Sequence, residues 1–288
     1  MIRTTRLTYR PPYDFAALLA FFAKRAIPGV ENVDAASYRR VFALDGTVGS
    51  LAVTALADRP ALQLRVEVDG KCDLPEISAR VRRMFDLDAD PAAINATLSK
   101  RALLRRCVAN HPGQRLPGGW DGFEIAVRAV LGQQVTVAAA RTLTERVVAK
   151  FGAPVHTARM EKVHLFPSPQ TLARADLSGL GITGARMRTL RDVAQALETG
   201  RVAFDRAQPL DDFIRSWTAL PGIGDWTAHY LAMRGMSHVD AFPAGDIVLR
   251  RAVTRDRSAI AVSALEEMSQ IWRPYRAYAV LHLWRSTM

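Results

Sequence analysis

The groups in this sequence best suited to chemistry lie in one stretch and just beyond it. The stretch is Leu220-Pro221-Gly222-Ile223-Gly224-Asp225-Trp226-Thr227-Ala228, and the carboxylate of Asp246 follows it. Pro221 fixes φ at a first turn position, and Gly222 and Gly224 open backbone conformations closed to residues with a Cβ. A turn of this kind ahead of a helix leaves main-chain N–H groups pointing outward with no side chain in the way, which suits a phosphate. An ordinary turn between two core helices would use the same residues. Trp226, Tyr230 and Met233 recur at i, i+4 and i+7 and share one helix face. That face can be core, or a surface on which a planar ring stacks. Asp246 closes the turn-rich segment Ala241-Phe242-Pro243-Ala244-Gly245, ahead of a helical run from Ile247 to Val253. An acid at that place caps a helix. A carboxylate fixed in a cleft can also stabilise a developing positive charge. Asp240, in the same connection, is the competing acid and reads as a solvated loop residue.

The hairpin needs a helix on each side. Phe213, Ile214 and Trp217 mark the one before it, and the one after it begins at Asp225, whose carboxylate can cap it. Upstream, Phe123, Val127, Val130 and Leu131 form a helical stripe that Gly132 interrupts. Gln133 and Gln134 follow, and a helix resumes from Val135 to Val148. Pro91 opens one helix and Leu98 to Val108 holds another. A second glycine-rich segment, Gly179 to Gly184, reads as a helix–helix turn leading into Met187 to Leu197, with Arg186 and Arg188 able to reach phosphates. From Asp90 on, every persistent pattern is helical. Residues 1–88 differ. Ile2 to Tyr9, Ser37 to Leu44, Thr47 to Leu56 and Ala61 to Val68 are strand-like, Asp45-Gly46 is a hairpin signal, and helices are expected from Phe15 and from about Leu74 to Phe85. The expected class is α+β: a small antiparallel sheet-plus-helix domain followed by helices.

Composition narrows the partners. The chain has 288 residues, enough for two or three small domains. Lys and Arg outnumber Asp and Glu by 39 to 28, a net charge of +11, which favours a polyanion such as nucleic acid. Two cysteines, Cys72 and Cys107, exclude a disulfide framework, a cysteine zinc site and a four-cysteine iron–sulfur cluster, and suit a cytoplasmic protein. No signal peptide is visible at the start. The longest apolar run, Phe15 to Ala23, is about half the length a membrane span requires, so no membrane partner is expected. The histidines show no metal-ligand spacing.

Hairpin, aromatic helix and aspartate together resemble the helix-hairpin-helix DNA glycosylases. Pro11-Pro12-Tyr13-Asp14, Leu131-Gly132-Gln133-Gln134, Leu220-Pro221-Gly222-Ile223-Gly224 with Trp226-Thr227-Ala228, and Trp272-Arg273-Pro274-Tyr275-Arg276 through His282-Leu283-Trp284 are similar to the AlkA-type 3-methyladenine DNA glycosylases II, in order and across essentially the whole chain. The resemblance implies that residues 1–88 form the first domain and that two all-α subdomains enclose a cleft: 113–230, and 89–112 packed with 231–288. It implies excision of alkylated, cationic purines such as 3-methyladenine and 7-methylguanine from double-stranded DNA by a monomer without an organic cofactor. Asp246 would be the catalytic carboxylate. Trp226, Tyr230, Trp284 and Phe21 would line the base pocket, where aromatic faces attract a cation. Gln133, Gln134, Gly222, Gly224 and Arg250 would meet DNA, with Gln134 filling the gap left by the flipped base. The best-known enzyme of this type uses a leucine there, so this chain departs from an apolar wedge. The main-chain carbonyls of Thr218, Leu220 and Ile223 would hold a monovalent cation. Relatives that also cut the backbone carry a lysine where Trp226 stands. With no amine to form a Schiff base, the product would be an abasic site. A uracil or hypoxanthine preference, and a non-catalytic lesion-binding module, remain open.

Overall fold

Strand periodicity in the first third becomes one sheet. In the computed structural model, which describes residues 1–157, 160–254, 256 and 258–287, β1 (Ile2–Thr8), α1 (Phe15–Ala23), β2 (Glu31–Val33), β3 (Ser37–Leu44), β4 (Thr47–Ala55), β5 (Ala61–Val68) and α2 (Leu74–Met84) form the first unit. The sheet is antiparallel in the order β1-β5-β4-β3-β2. Asp45 and Gly46 both adopt positive φ, 48° and 77°, so a two-residue turn pairs Leu44 with Thr47. Leu51, Val53, Leu62, Leu64 and Val66 then point to one side and bury against Phe22, Ile77, Val81 and Phe85. β2 is absent from the sequence reading; three residues on a sheet edge are too short to show a period.

The helical part follows as α3 (Pro91–Leu98), α4 (Ala102–Asn110), α5 (Gly122–Leu131), α6 (Val137–Phe151), α7 (Pro169–Ala173), α8 (Gly184–Glu198), α9 (Leu210–Thr218), α10 (Asp225–Gly235), α11 (Ile247–Ala252), α12 (Val262–Ser269) and α13 (Arg276–Arg285). Asp90, Asp121, Thr136, Ser168 and Thr183 each cap the helix they precede by accepting from its first-turn N–H groups. One buried apolar cluster runs through these helices from Ile94 to Leu283. α3 and α4 pack against the C-terminal end, on the 3-10 turn Gln270–Trp272 and on α13. The expectation that every pattern after Asp90 is helical needs correction. β6 (Pro154–Thr157) and β7 (Met160–His164) form an antiparallel pair, and the His164 N–H donates to the Gly29 carbonyl at 2.9 Å, docking the pair on the first domain. Two strands of this length give no alternation that outweighs the helices around them.

Charge, buried and paired, joins the two parts. Arg40 on β3, 2% exposed, donates to Glu124 on α5 at 2.8 Å. Arg128, one turn further along α5, reaches Glu124 at 2.6 Å and Glu31 at 2.5 Å, and donates to the Arg25 carbonyl at 2.7 Å. Burial would raise the Glu124 carboxyl, but Arg40 and Arg128 outweigh it and hold it down to about 2. Removing one member would strand a buried charge, at about 3–5 kcal/mol. The Pro11-Pro12-Tyr13-Asp14 motif is a second seam. Arg115 donates to the carbonyls of Arg10 at 2.6 Å and Pro12 at 2.9 Å, with its guanidinium carbon 4.8 Å from the Tyr13 ring centre. Asp14 caps α1 and faces Arg285 at 3.4 Å. These seams fix α1, and with it Phe21, against α10. Among the described residues no helix is long and apolar enough to cross a membrane.

Candidate active site

The hairpin turns between α9 and α10 where the glycines stand. Gly222 has φ +85°, and a Cβ there would lie 2.1 Å from Thr189 Oγ1 on α8. That hydroxyl instead donates to the Pro221 carbonyl at 3.1 Å, so the turn is seated on α8. Both the left-handed φ and the close approach require glycine at this position. Gly224 is the residue before α10, and a Cβ there would meet nothing within 4 Å. Ile223 turns its N–H inward to the Leu220 carbonyl at 3.1 Å. Among the described residues the N–H groups of Gly222 and Gly224 have no backbone acceptor, which leaves them with the positive end of α10. Asp225 is the first residue of that helix and does not cap it; its carboxylate lies 3.7 Å from His229 Nε2 instead.

From α10 the aromatic groups project as the spacing requires. Trp226 and Tyr230 are half-buried and stacked, ring centres 5.2 Å apart at 10°, while Met233 turns fully into the core. Asp246 is reached across this stack. Its Oδ1 caps α11, accepting from Val248 N at 2.8 Å and Leu249 N at 2.9 Å, and its Oδ2 accepts from Trp226 Nε1 at 2.8 Å. One oxygen thus serves the cap and the other the indole. All three donors are neutral, and among the described residues no ion pair involves Asp246. His229 secures the approach to it: Nδ1 accepts from Phe242 N at 3.2 Å, and burial lowers the imidazole's pKa so that it stays neutral.

Asp240 needs correction. It is 7% exposed rather than solvated, bound by Arg276 Nε at 2.8 Å and Nη2 at 2.8 Å, and by Arg273 Nη1. The Trp272-Arg273-Pro274-Tyr275-Arg276 motif thus anchors the loop that leads to Asp246.

The remaining sequence-selected residues divide. Gln133 turns its amide into the hairpin, Nε2 donating to the Gly222 carbonyl at 2.9 Å and to Thr227 Oγ1 at 3.2 Å, and Arg186 donates to the Gln133 carbonyl. Gln134 is exposed at φ +54°, a conformation that costs a non-glycine residue about 1–2 kcal/mol. Exposed Val135 and Val137 stand beside it. Arg250 ties α11 to the following segment, its Nε donating to the Ile260 carbonyl at 2.6 Å. Trp284 is half-buried on α13 against the helical core; among the described residues no ring contact joins it to Trp226 or Tyr230. His282 is buried, among the described residues both its ring nitrogens lack a partner, and burial pushes its pKa down to about 4. Thr218 is the last residue of α9, at the negative end of the helix, and Leu220 lies two residues beyond it. The Leu220 carbonyl keeps a lone pair beyond its bond to Ile223.

Phe21 is brought in from the first domain. The guanidinium carbon of Arg234, on α10, lies 4.6 Å from its ring centre and 5.6 Å from that of Tyr230. Arg25 covers the same ring of Phe21 at 3.8 Å. Sequence reasoning named only aromatic residues for the pocket and missed both arginines. The signal was present: Arg25 follows Phe21, and Arg234 follows Tyr230, each by one helical turn.

Two family models cover the chain. An AlkA N-terminal domain matches residues 4–121, and an HhH-GPD superfamily base excision DNA repair protein matches residues 127–277. The chain is 34% identical over 283 residues to DNA-3-methyladenine glycosylase 2 of Escherichia coli (strain K12), covering 96% of this chain and 95% of that one. It is 39% identical over 279 residues to a probable bifunctional transcriptional activator/DNA repair enzyme AlkA of Mycobacterium tuberculosis. That match takes in 97% of this chain, which spans 56% of the length of that relative. Among solved structures, a 3-methyladenine DNA-glycosylase from Archaeoglobus fulgidus superposes with a TM-score of 0.83 at 19% identity, over 97% of this chain and 96% of that one, a likeness of fold.

Proposed function

The chain belongs to the HhH-GPD superfamily of base excision DNA repair proteins, with an AlkA N-terminal domain ahead of the helix-hairpin-helix part, and we propose that it is a monofunctional glycosylase that flips alkylated purines out of double-stranded DNA and releases them. One observation carries this reading: a carboxylate, Asp246, held between a helix N-terminus and the indole N–H of a stacked aromatic pair.

As the C1′–N bond breaks, positive charge builds on the sugar, and a fixed carboxylate beneath it stabilises the transition state. An alkylated base is cationic before the bond breaks and neutral afterwards, so it leaves readily and stacks well on Trp226 and Tyr230. No amine stands on the first turn of α10, so no Schiff base forms and the product is an abasic site. The open N–H groups at Gly222 and Gly224 hold a DNA phosphate, and the carbonyls of Thr218, Leu220 and Ile223 would hold a monovalent cation, which would add positive charge beside it. Gln134 fills the space left in the duplex, while Gln133 fixes its loop to the hairpin.

The test is release of free methylated base from methylated duplex DNA by the wild type and by Asp246→Asn. Release by the wild type alone, with alkali needed to break the strand, is the expected result. Equal release by both would move catalysis elsewhere, and binding without release would leave a lesion-binding module or a glycosylase for another base.

A further inference from the structure

The residue read as the filler of the duplex gap is held in a backbone conformation that its own side chain disfavours. Gln134 is exposed at φ +54°, in the left-handed region, where a residue other than glycine stays only if its surroundings impose the angle. It lies just past α5, where Gly132 is the C-cap and the Gln133 N–H donates to the Val130 carbonyl at 3.3 Å. Two other elements complete the constraint. At the hairpin, the Gly222 carbonyl and Thr227 Oγ1 accept from Gln133 Nε2 at 2.9 Å and 3.2 Å. From α8, Arg186 donates through Nη2 to the Gln133 carbonyl. That carbonyl belongs to the planar peptide leading into Gln134, so turning the plane changes φ of Gln134. Holding the oxygen holds the angle, and with it the direction in which the side chain leaves the loop.

Arg186 is poorly placed to serve its own helix. It stands in the first turn of α8, where the dipole disfavours a cation, and its N–H is capped by Thr183 Oγ1 at 3.4 Å. Its half-buried side chain reaches instead to the negative end of α5, where a cation is favoured. One turn along the same face of α8, Thr189 donates to the Pro221 carbonyl at 3.1 Å. A single helix face thus braces both the loop that carries Gln134 and the turn that offers its N–H groups to a phosphate. We propose that Arg186 is a positioning residue for base flipping, presetting the backbone of Gln134 so that its side chain enters the duplex as the damaged base leaves. The proposal rests on the glycosylase reading given above. It places the contribution of Arg186 in the opening of a base pair and none of it in the breaking of the C1′–N bond.

Two duplexes test it, one with 7-methylguanine opposite cytosine and one with the same base bulged, with no nucleotide opposite. Single-turnover release is measured from both with wild type, Arg186→Met and Arg186→Lys, each also combined with Gln134→Ala. Arg186→Met should slow release from the paired duplex about tenfold, the population a non-glycine residue loses in the left-handed region when nothing braces it. Release from the bulge, where no pair has to open, should stay within about twofold. In the Gln134→Ala background Arg186→Met should cost nothing further on the paired duplex, because the group it positions is gone. Arg186→Lys keeps one donor for the carbonyl and should slow paired release only about threefold. It provides the same comparison if the methionine variant does not fold. Equal loss on both duplexes would assign Arg186 to packing alone and overturn the proposal. So would unchanged rates on both, or a full additional loss in the Gln134→Ala background. A shallower salt dependence of binding to undamaged duplex would overturn it too, by making Arg186 a phosphate contact. Release from neither duplex by the wild type would sink the glycosylase reading itself, and this proposal with it.

Discussion

Asp240 and Asp246 stand at the two ends of one connection and occupy opposite electrostatic settings. Asp240 is enclosed by the guanidiniums of Arg273 and Arg276, so its charge is spent on holding the loop to the C-terminal segment. Among the described residues Asp246 meets only neutral donors, two backbone N–H groups and an indole N–H. Identical side chains six positions apart thus meet donors of different kinds, charged at the buried Asp240 and neutral at the half-buried Asp246.

Substitution can break this contrast from either end. Asp246→Asn keeps a side chain able to cap α11 but removes the charge. Base release should fall by about a thousandfold, with DNA affinity and thermal midpoint nearly unchanged, measured by single-turnover excision beside calorimetry. A matching drop in thermal midpoint would make Asp246 an anchor too. Asp240→Asn leaves two arginines without their carboxylate, one of them buried. It should lower stability by about 3–5 kcal/mol in denaturant unfolding while the folded fraction still excises base.

A third acid sharpens the comparison. Asp86 accepts from Leu116 N at 2.9 Å and from the Tyr278 hydroxyl at 2.8 Å, and burial pushes its pKa up to about 6. A raised folded value means stability that is present below the unfolded pKa of about 3.9 and lost as pH rises through 6. Asp86→Asn, which can accept the same two bonds, should exceed the wild type by up to about 3 kcal/mol at pH 7. The two should converge near pH 4, as thermal unfolding across that window would show. The smallest effect is expected of Trp226→Phe, which keeps the stacked ring and loses the donor to Asp246. It should lower kcat about tenfold with KM little changed; a change confined to KM would restrict Trp226 to base binding.

How much of this was legible depends on where each partner lies in the chain. The sheet, the helices, the hairpin and the position of Asp246 follow from local periodicity and turn chemistry, and the five-stranded sheet carries the register that the Asp45-Gly46 turn sets. Asp240 was misread because its arginines come more than thirty residues later, on a segment with no local sign of folding back. Gln133 reads as a DNA contact from its loop, yet its acceptor is the Gly222 carbonyl, a long-range contact. Arg234 meets the Phe21 ring across the two domains, as the Arg40–Glu124–Arg128–Glu31 network also does, and neither contact has a local pattern. Periodicity reports which face a residue shares, not what another element brings to it.

The hydrogen bond from Trp226 to Asp246 also bears on how such a pocket can diversify. On the function proposed above, one side chain both stacks the base and holds the carboxylate, so no replacement at that position can widen the choice of base while leaving the bond-breaking step alone. Phe21 comes from a separate domain and is free of that double duty. New substrate preferences would therefore be expected to arise on the domain that takes no part in the chemistry, with the hairpin and its aspartate left as inherited.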